Sequence, residues 1–155
     1  MKKITAYILF PVIALGVGGL SALLTREGME NTYTEVIKPP LSPPAMLFPI
    51  VWSILFVLMG IGMARVWQNK EVDRFPALVI WITQLAVNFA WGPIFFNMQA
   101  YLFAFFWLLL LWVLILIMIG IFRRSDKIAA YLQIPYLLWV TFAGYLNLAV
   151  YFLNR

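Results

Sequence analysis

Flat aromatic rings and neutral amide groups recur at helical spacing in this chain, and they are its main candidates for chemistry. One set of side chains follows steps of three and four residues and so shares a helix face: Gln84, Asn88, Trp91 and Phe95. A second set follows steps of four, with Tyr136 beside it: Pro135, Trp139, Ala143 and Asn147. Trp52 and Phe56 lie one helical turn apart. Aromatic walls with a few hydrogen-bonding groups are typical of a pocket for a large, planar, apolar ligand.

The same aromatic residues have a plainer interpretation, which is packing within a helix bundle. Tryptophan near the end of a membrane-spanning segment is commonly an anchor at the membrane interface. Trp52 and Trp139 fit this less well, because they lie about a turn or more inside their apolar segments and close to amides. The residues alone leave both interpretations open.

Composition excludes several kinds of reaction. The chain has no cysteine and no histidine, which removes disulfides, thiolate catalysis, the usual zinc ligands and the usual proximal haem ligand. The apolar segments contain no catalytic triad, carboxylate pair or phosphate-binding loop. We therefore predict no metal and no cofactor. Trp52 and Trp139 are the candidates for any redox chemistry.

The positions of the charged residues predict the fold class. All 11 basic and 6 acidic residues lie outside five apolar segments, at residues 4–24, 45–64, 75–96, 101–122 and 128–153. A bilayer core about 30 Å thick needs roughly 20 apolar residues per helix, and each segment is that long. We predict an all-α integral membrane protein, a bundle of five transmembrane helices, as a single domain over residues 1–155.

Basic residues predict the orientation of this bundle. One side carries Arg26, Lys38 and Arg155, and the other carries Lys2, Lys3, Arg65, Lys70, Arg74, Arg123, Arg124 and Lys127. The positive-inside rule places the N-terminus in the cytoplasm and the C-terminus outside. This distribution accounts for the net charge of +5 without a nucleic-acid partner. We expect a retained first helix, since the run at residues 4–24 is longer than the roughly 7–15 residues of a signal-peptide core.

The connection between the first two spans, residues 25–44, is much longer than the others and is called the first connection below. Connections beyond about 12–15 residues are often functional lids or linkers. Its last part contains four prolines, at positions 39, 40, 43 and 44, which favour stiff, extended chain. It is either a lid over the bundle or a rigid spacer. Arg26 and Lys38 are its candidates for binding ligand carboxylates.

Residue types within the spans predict how the helices pack. Internal prolines at positions 11, 49, 93 and 135 predict kinks. Buried amides need partners in lipid, so Gln84, Asn88, Gln133 and Asn147 are predicted to face the interior. The span at residues 101–122 is hydrophobic all round and is predicted to contact mainly lipid.

Small residues four apart allow close helix contact, either within the bundle or between two chains. Ala86 and Ala90 form one such pair, and further pairs are Gly18 with Ala22 and Gly60 with Ala64. Ala86 and Ala90 are the candidate interface of a homodimer, with ordinary packing inside one chain as the alternative.

Three motifs resemble the tryptophan-rich sensory protein family, known in mitochondria as the translocator protein or peripheral-type benzodiazepine receptor. The first motif comprises Lys38-Pro39, Pro43-Pro44, Phe48 and Val51-Trp52. The second is Asn88-Phe89-Ala90-Trp91 followed by Phe95-Phe96. The third comprises Pro135-Tyr136, Trp139, Ala143 and Leu146-Asn147. The resemblance covers nearly the whole chain and points to a bacterial member in the cell membrane.

The resemblance implies a pocket that binds porphyrins, sterols and isoquinoline or benzodiazepine-like drugs, and it favours a homodimer through the third span. Carried over by position, the pocket residues are Tyr33, Trp52, Phe56, Asn88, Trp139 and Ala143. This chain departs from the family at Leu41, where an aromatic residue is common. It also has Leu148 where members that bind cholesterol have tyrosine.

Three functions remain open at this stage. The first is a membrane receptor that binds protoporphyrin and related ligands in tetrapyrrole transport, sensing or regulation. The second is light-dependent breakdown of a bound porphyrin by Trp52 and Trp139. The third is a structural membrane protein whose aromatic residues only pack.

Overall fold

The computed structural model describes residues 2–155, apart from the side chain of Tyr33. Among these residues, five helical segments are long and apolar enough to cross a membrane. They are Lys3–Leu24, Leu47–Gln68, Phe75–Asn97, Tyr101–Ser125 and Lys127–Asn154. The predicted fold, an integral membrane bundle of five transmembrane helices, is confirmed.

The helices are α1 (Lys3–Leu24), α2 (Arg26–Glu35), α3 (Leu47–Gln68), α4 (Phe75–Gly92), α5 (Tyr101–Ser125), α6 (Lys127–Tyr131) and α7 (Ile134–Asn154). A π-helical turn, Pro93–Asn97, continues α4. Both α3 and α5 run past their predicted ends at residues 64 and 122. Arginine continues a helix readily because its long side chain carries the charge away from the apolar region, so a charge marks the edge of the membrane rather than the helix end.

Half of the first connection is helical, which the sequence pattern did not predict. After α2 the chain is extended and then turns at Pro39–Ser42, where the Ser42 N–H donates to the Pro39 carbonyl over 3.3 Å. Helix α2 packs against the π-helical turn at the end of α4. The first connection therefore folds back onto the bundle.

Helices α1 and α3 pack along each other because two glycines leave room. A Cβ atom at Gly60 would overlap the backbone of Pro11, and one at Gly18 would overlap the ring of Phe56. The small residues at positions 18 and 60 therefore serve packing within one chain.

One face of the fourth span packs within the bundle, which the prediction that this span contacts mainly lipid did not include. Helix α5 packs against both α4 and α7. Buried side chains recur along it at helical spacing: Ala104, Leu108, Leu111, Ile115, Met118 and Phe122. The sequence alone does not reveal this buried face, because lipid and the interior of a helix bundle both select apolar residues.

The prediction of four internal proline kinks is also mostly wrong. Pro11 lies inside α1, whereas Pro49 and Pro135 lie in the first turns of α3 and α7. Pro93 opens the π-helical turn after α4. The first turn tolerates proline because its N–H groups have no helical partner. Because Pro135 lies in the first turn of α7, the fifth span consists of two helices, α6 and α7, with a break between them.

Candidate functional site

A small cavity lies under the first connection, between that connection and helices α3, α4 and α7. Its volume is about 70 Å³. The first connection contributes Thr32, Val36, Lys38, Pro39, Ser42 and Pro43, and the helices contribute Phe48, Trp91, Phe95, Phe96, Ala143, Leu146, Asn147 and Val150. Most of these side chains are apolar. The cavity therefore suits an apolar ligand with few polar groups.

Trp91 and Asn147 form a hydrogen-bonded part of the cavity wall. The Trp91 Nε1–H donates to Asn147 Oδ1 over 3.1 Å, and Asn147 Nδ2 donates to the Tyr101 carbonyl over 2.7 Å. The ring of Phe95 stacks on that of Trp91 with centroids 5.1 Å apart. These contacts join α4, α5 and α7 and fix the orientation of the Trp91 indole.

A buried chain of amides and a phenol crosses the bundle between α4 and α7. Asn88 Nδ2 donates to the Tyr136 hydroxyl over 2.7 Å, and that hydroxyl donates to Gln84 Oε1 over 2.8 Å. Gln84 Nε2 in turn donates to the Trp81 carbonyl over 2.9 Å. Gln84, Gln133 and Asn147 are buried and Asn88 bonds across the bundle, so the prediction that the span amides face the interior is confirmed.

Aromatic rings form a layer beside this chain of polar groups. Trp52 stacks on Phe56 at 5.6 Å and meets the Tyr136 ring edge-on at 6.2 Å. Trp139 meets Phe48 edge-on at 5.6 Å. Because Phe48 also lines the cavity, its ring connects the cavity to Trp139. The Trp139 Nε1–H is buried and has no hydrogen-bond acceptor among the described residues.

The polar residues predicted in the first connection lie in different places. Lys38 and Pro39 line the cavity, whereas Arg26 lines a separate polar crevice between α2 and the α4–α5 turn. Leu41 is 80% exposed and has a positive φ of 71°. Its departure from the family pattern therefore falls at a turn and not on the cavity wall. The predicted contact of Tyr33 lies outside the described side chains.

An ion pair lies at the opposite end of the bundle. Arg65 Nη2 is 3.1 Å from Asp126 Oδ2, and Arg65 Nε donates to Asp126 Oδ1 over 3.1 Å. Partial burial alone would raise the pKa of Asp126, but hydrogen bonds from the Ala129 N–H and the Arg65 guanidinium outweigh it. The pKa of Asp126 is therefore lowered, and the pair joins α3 to the start of α6.

Acidic side chains do not cluster in a way that would hold a metal ion: the described residues contain no group of three or more. The cavity lining offers stacking, apolar contact and hydrogen bonding, and Lys38 adds a basic group.

Comparison with known proteins places the chain in a family. The sequence profile of the TspO/MBR family matches residues 7–153. The chain belongs to the TspO/MBR family. It is 38% identical to the tryptophan-rich protein TspO of Chlorobaculum tepidum, over 99% of this chain and 98% of that protein. It is 37% identical to protein CrtK of Rhodobacter capsulatus, over 79% and 78% of the two chains. It is 34% identical to the translocator protein of Bos taurus, over 84% and 79%.

In this TspO/MBR family member, the ten residues predicted to bind ligand fall into two groups. Trp91, Ala143 and Asn147 line the cavity. Apart from Tyr33, the others form the neighbouring polar and aromatic layer: Trp52, Phe56, Gln84, Asn88, Tyr136 and Trp139. Helical spacing predicted which of these residues share a helix face, but it could not show that Phe48 both lines the cavity and contacts Trp139.

Sequence reasoning missed two residues on α7 that hold the first connection. Asn154 bonds to the backbone of Ile37, and Tyr145 bonds to the carbonyl of Pro40. Both contacts involve backbone atoms of a distant segment, so no side-chain pattern records them. For the dimer residues, Ala86 is exposed and Ala90 is half-buried on α4.

Proposed function

We propose that this TspO/MBR family member is a receptor for a porphyrin such as protoporphyrin, acting in tetrapyrrole transport, sensing or regulation. The observation that carries the proposal is the cavity under the first connection, with Trp91 in its wall and the Trp52–Trp139 layer behind Phe48. Indole rings offer stacking surface to a flat macrocycle, and neighbouring amides offer hydrogen bonds.

Ligand size requires movement at this site. The cavity of about 70 Å³ is smaller than the roughly 150 Å³ cavity that takes up one benzene molecule. A four-ring porphyrin therefore enters only when the first connection moves away or the Phe48 ring turns. The first connection then acts as a lid, and its opening exposes Trp139, whose Nε1–H has no acceptor among the residues that the structure describes.

Binding accounts for the residues of the cavity without any chemical step. Trp91 in the cavity wall supplies stacking. Trp52, Trp139 and Asn88 in the neighbouring layer come within reach of the ligand once the site opens. We therefore assign a binding role and include isoquinoline or benzodiazepine-like drugs among its ligands. No cofactor enters this account.

The test is a titration with protoporphyrin, followed by tryptophan fluorescence, in detergent micelles. The wild type is expected to show saturable quenching at one porphyrin per chain. Asn88→Ala and Trp139→Phe are expected to weaken the affinity without unfolding the bundle. Trp112→Phe is the matched control, because Trp112 bonds to Thr141 in a groove between α5 and α7 and does not line the cavity.

Two results would contradict the proposal. Quenching that rises linearly with porphyrin and never saturates would show partition into the micelle rather than binding. Equal affinity in the wild type, Asn88→Ala and Trp139→Phe would place the site elsewhere.

The orientation and assembly are also part of the proposal. The N-terminus lies in the cytoplasm and the first connection outside, as the basic residues indicate. Two chains associate through α4, where Ala86 is exposed and Ala90 is half-buried, because small side chains allow two helices to approach closely in lipid.

A further inference from the structure

The C-terminal end of α7 is hydrogen-bonded to the first connection at one residue. The Ile37 N–H donates to Asn154 Oδ1 over 2.8 Å, and Asn154 Nδ2 donates to the Ile37 carbonyl over 2.8 Å. One amide side chain thus satisfies both backbone groups of the same residue. Since both bonds must break together, the backbone at Ile37 cannot slide along α7 without losing two hydrogen bonds.

A second contact on α7 holds the other end of the same short segment. The Tyr145 hydroxyl donates to the Pro40 carbonyl over 2.8 Å. Between the two held residues lie Lys38 and Pro39, both of which line the cavity. Proline also restricts the chain here, because its ring fixes φ.

The turn that follows reinforces this arrangement. Ser42 donates to the Pro39 carbonyl both from its N–H, over 3.3 Å, and from its hydroxyl, over 2.7 Å. The segment therefore has few ways to move while its two contacts with α7 persist. Lys38 is the basic residue that lines the cavity, and it lies at the cavity's exposed edge.

We infer that Asn154 and Tyr145 are positioning residues that hold the backbone on both sides of Lys38, so that its ammonium group recognises a carboxylate of the ligand. This inference rests on the proposed function and adds the specificity of the same cavity: an apolar, planar ligand with an acidic edge. Release of the two contacts frees the segment and opens the cavity.

The experiment compares two ligands, protoporphyrin and its dimethyl ester, which differ in their carboxylate charges. The wild type is expected to prefer the diacid about ten-fold, the factor given by one charge-assisted hydrogen bond of roughly 1.5 kcal/mol. In Lys38→Gln, Asn154→Leu and Tyr145→Phe, this preference should shrink, to within about two-fold in the first two.

Hydrogen exchange of the Ile37 amide in the ligand-free protein provides a second measurement. Asn154→Leu should accelerate it by roughly ten-fold, the effect of losing two ordinary hydrogen bonds. Asn97→Leu is the matched control, because Asn97 donates to the Leu24 carbonyl and not to this segment. It should affect neither the Ile37 amide nor the ligand preference.

The two measurements separate the possible failures. If the wild type binds neither porphyrin, the proposed function fails, and exchange at Ile37 alone decides whether α7 holds the segment. Equal affinity of the wild type for both porphyrins overturns the role of Lys38. An unchanged exchange rate of the Ile37 amide in Asn154→Leu would contradict the claim that Asn154 holds the backbone of Ile37. If Asn154→Leu exchanges the Ile37 amide faster but still prefers protoporphyrin over its dimethyl ester ten-fold, Asn154 does not position any group that the ligand contacts.

Discussion

At the scale of single residues, the Tyr136 hydroxyl matters because it both donates and accepts. It accepts from Asn88 and donates to Gln84 within the bundle. A phenylalanine there keeps the ring that Trp52 contacts but leaves the buried Gln84 amide and the half-buried Asn88 amide without this partner. Water cannot replace it easily at this depth in the membrane.

Tyr136→Phe is therefore expected to lower the free energy of unfolding by about 0.6–1.7 kcal/mol, which runs from the average to the largest value found for hydrogen bonds between helices by double-mutant cycles in a membrane protein. Thermal unfolding in detergent measures the change. Tyr131→Phe removes a hydroxyl from an exposed side chain and should have no effect. An equal loss in both variants would mean that the buried chain of polar groups contributes no specific stability.

Asp126 predicts a dependence on pH. Its folded-state pKa lies below the usual value of about 3.9, because the Ala129 N–H and Arg65 outweigh its partial burial. The stabilisation is complete above pH 4 or so and is lost as the pH falls through the folded-state pKa.

The melting temperature should therefore fall on acidification below about pH 4, and Asp126→Asn should flatten that part of the profile. The variant loses the charge of the Arg65 pair but keeps a side-chain oxygen for the Ala129 N–H. Parallel profiles for wild type and variant would show that other carboxylates govern the acid response.

At the scale of elements, the turn at Pro39–Ser42 contains an unusual residue. Leu41 has a φ of 71°, at the position where a type II turn normally has glycine. Such a conformation costs an ordinary residue roughly 1–2 kcal/mol. The cost falls on the segment that covers the cavity, so the turn stores strain beside the site.

Leu41→Gly should relieve this strain, while Leu41→Ile should add to it because a β-branched residue tolerates positive φ poorly. Exchange of the Ser42 amide, which bonds to Pro39, reports on the turn. We expect slower exchange in the glycine variant than in the isoleucine variant. The reverse order would contradict the assigned turn.

The sequence predicted the spanning helices better than the elements between them. Charges at the segment ends and apolar runs of about 20 residues are sufficient to locate a spanning helix. Helix α2, by contrast, is mainly polar and gave no periodic apolar signal. The break before Pro135 was predicted as a kink, because sequence alone does not show whether a proline lies inside a helix or starts one.

The candidate site was predictable only in part, because helical spacing shows which residues share a face but not how deep each side chain lies. Helical spacing placed Trp91 together with Gln84 and Asn88, and Ala143 together with Asn147, on interior faces. It could not show the depth of each side chain, so Trp91 lines the cavity while Trp139 lies behind Phe48. Contacts from α7 to the first connection join residues more than 100 positions apart, as between Tyr145 and Pro40, and depend on the final fold.

At the scale of the whole molecule, the two ends of the bundle differ. An ion pair joins helices at one end, and the first connection covers the other. Arg65 and Asp126 join helices at the end opposite the cavity. Helix α7 meets the cavity through Ala143 and Asn147 and holds the first connection through Tyr145 and Asn154. The cavity wall and the segment that covers the cavity thus depend on the same helix.

The proposed association of two chains through α4 is tested at this scale. Replacing Ala86 and Ala90 with leucine should convert a dimer into a monomer in detergent, since larger side chains keep the two α4 helices apart. Light scattering of the purified protein measures the mass. Gly120→Leu is a suitable control, because Gly120 is exposed on α5 and a Cβ there meets no other group. A double variant that remains dimeric would place the interface on another helix.

The central claim is that the ligand occupies the cavity beneath the first connection, and Ala143 tests it most directly. Ala143 is 6% exposed and lines the cavity, so Ala143→Thr adds atoms to an already small space. Overpacking of this kind costs about 1–3 kcal/mol, a loss of roughly 5- to 150-fold in affinity for protoporphyrin. Ala149→Thr makes the same change on α7 away from the cavity lining. Equilibrium titration should show weakened binding in Ala143→Thr alone, and wild-type affinity in that variant would contradict the account.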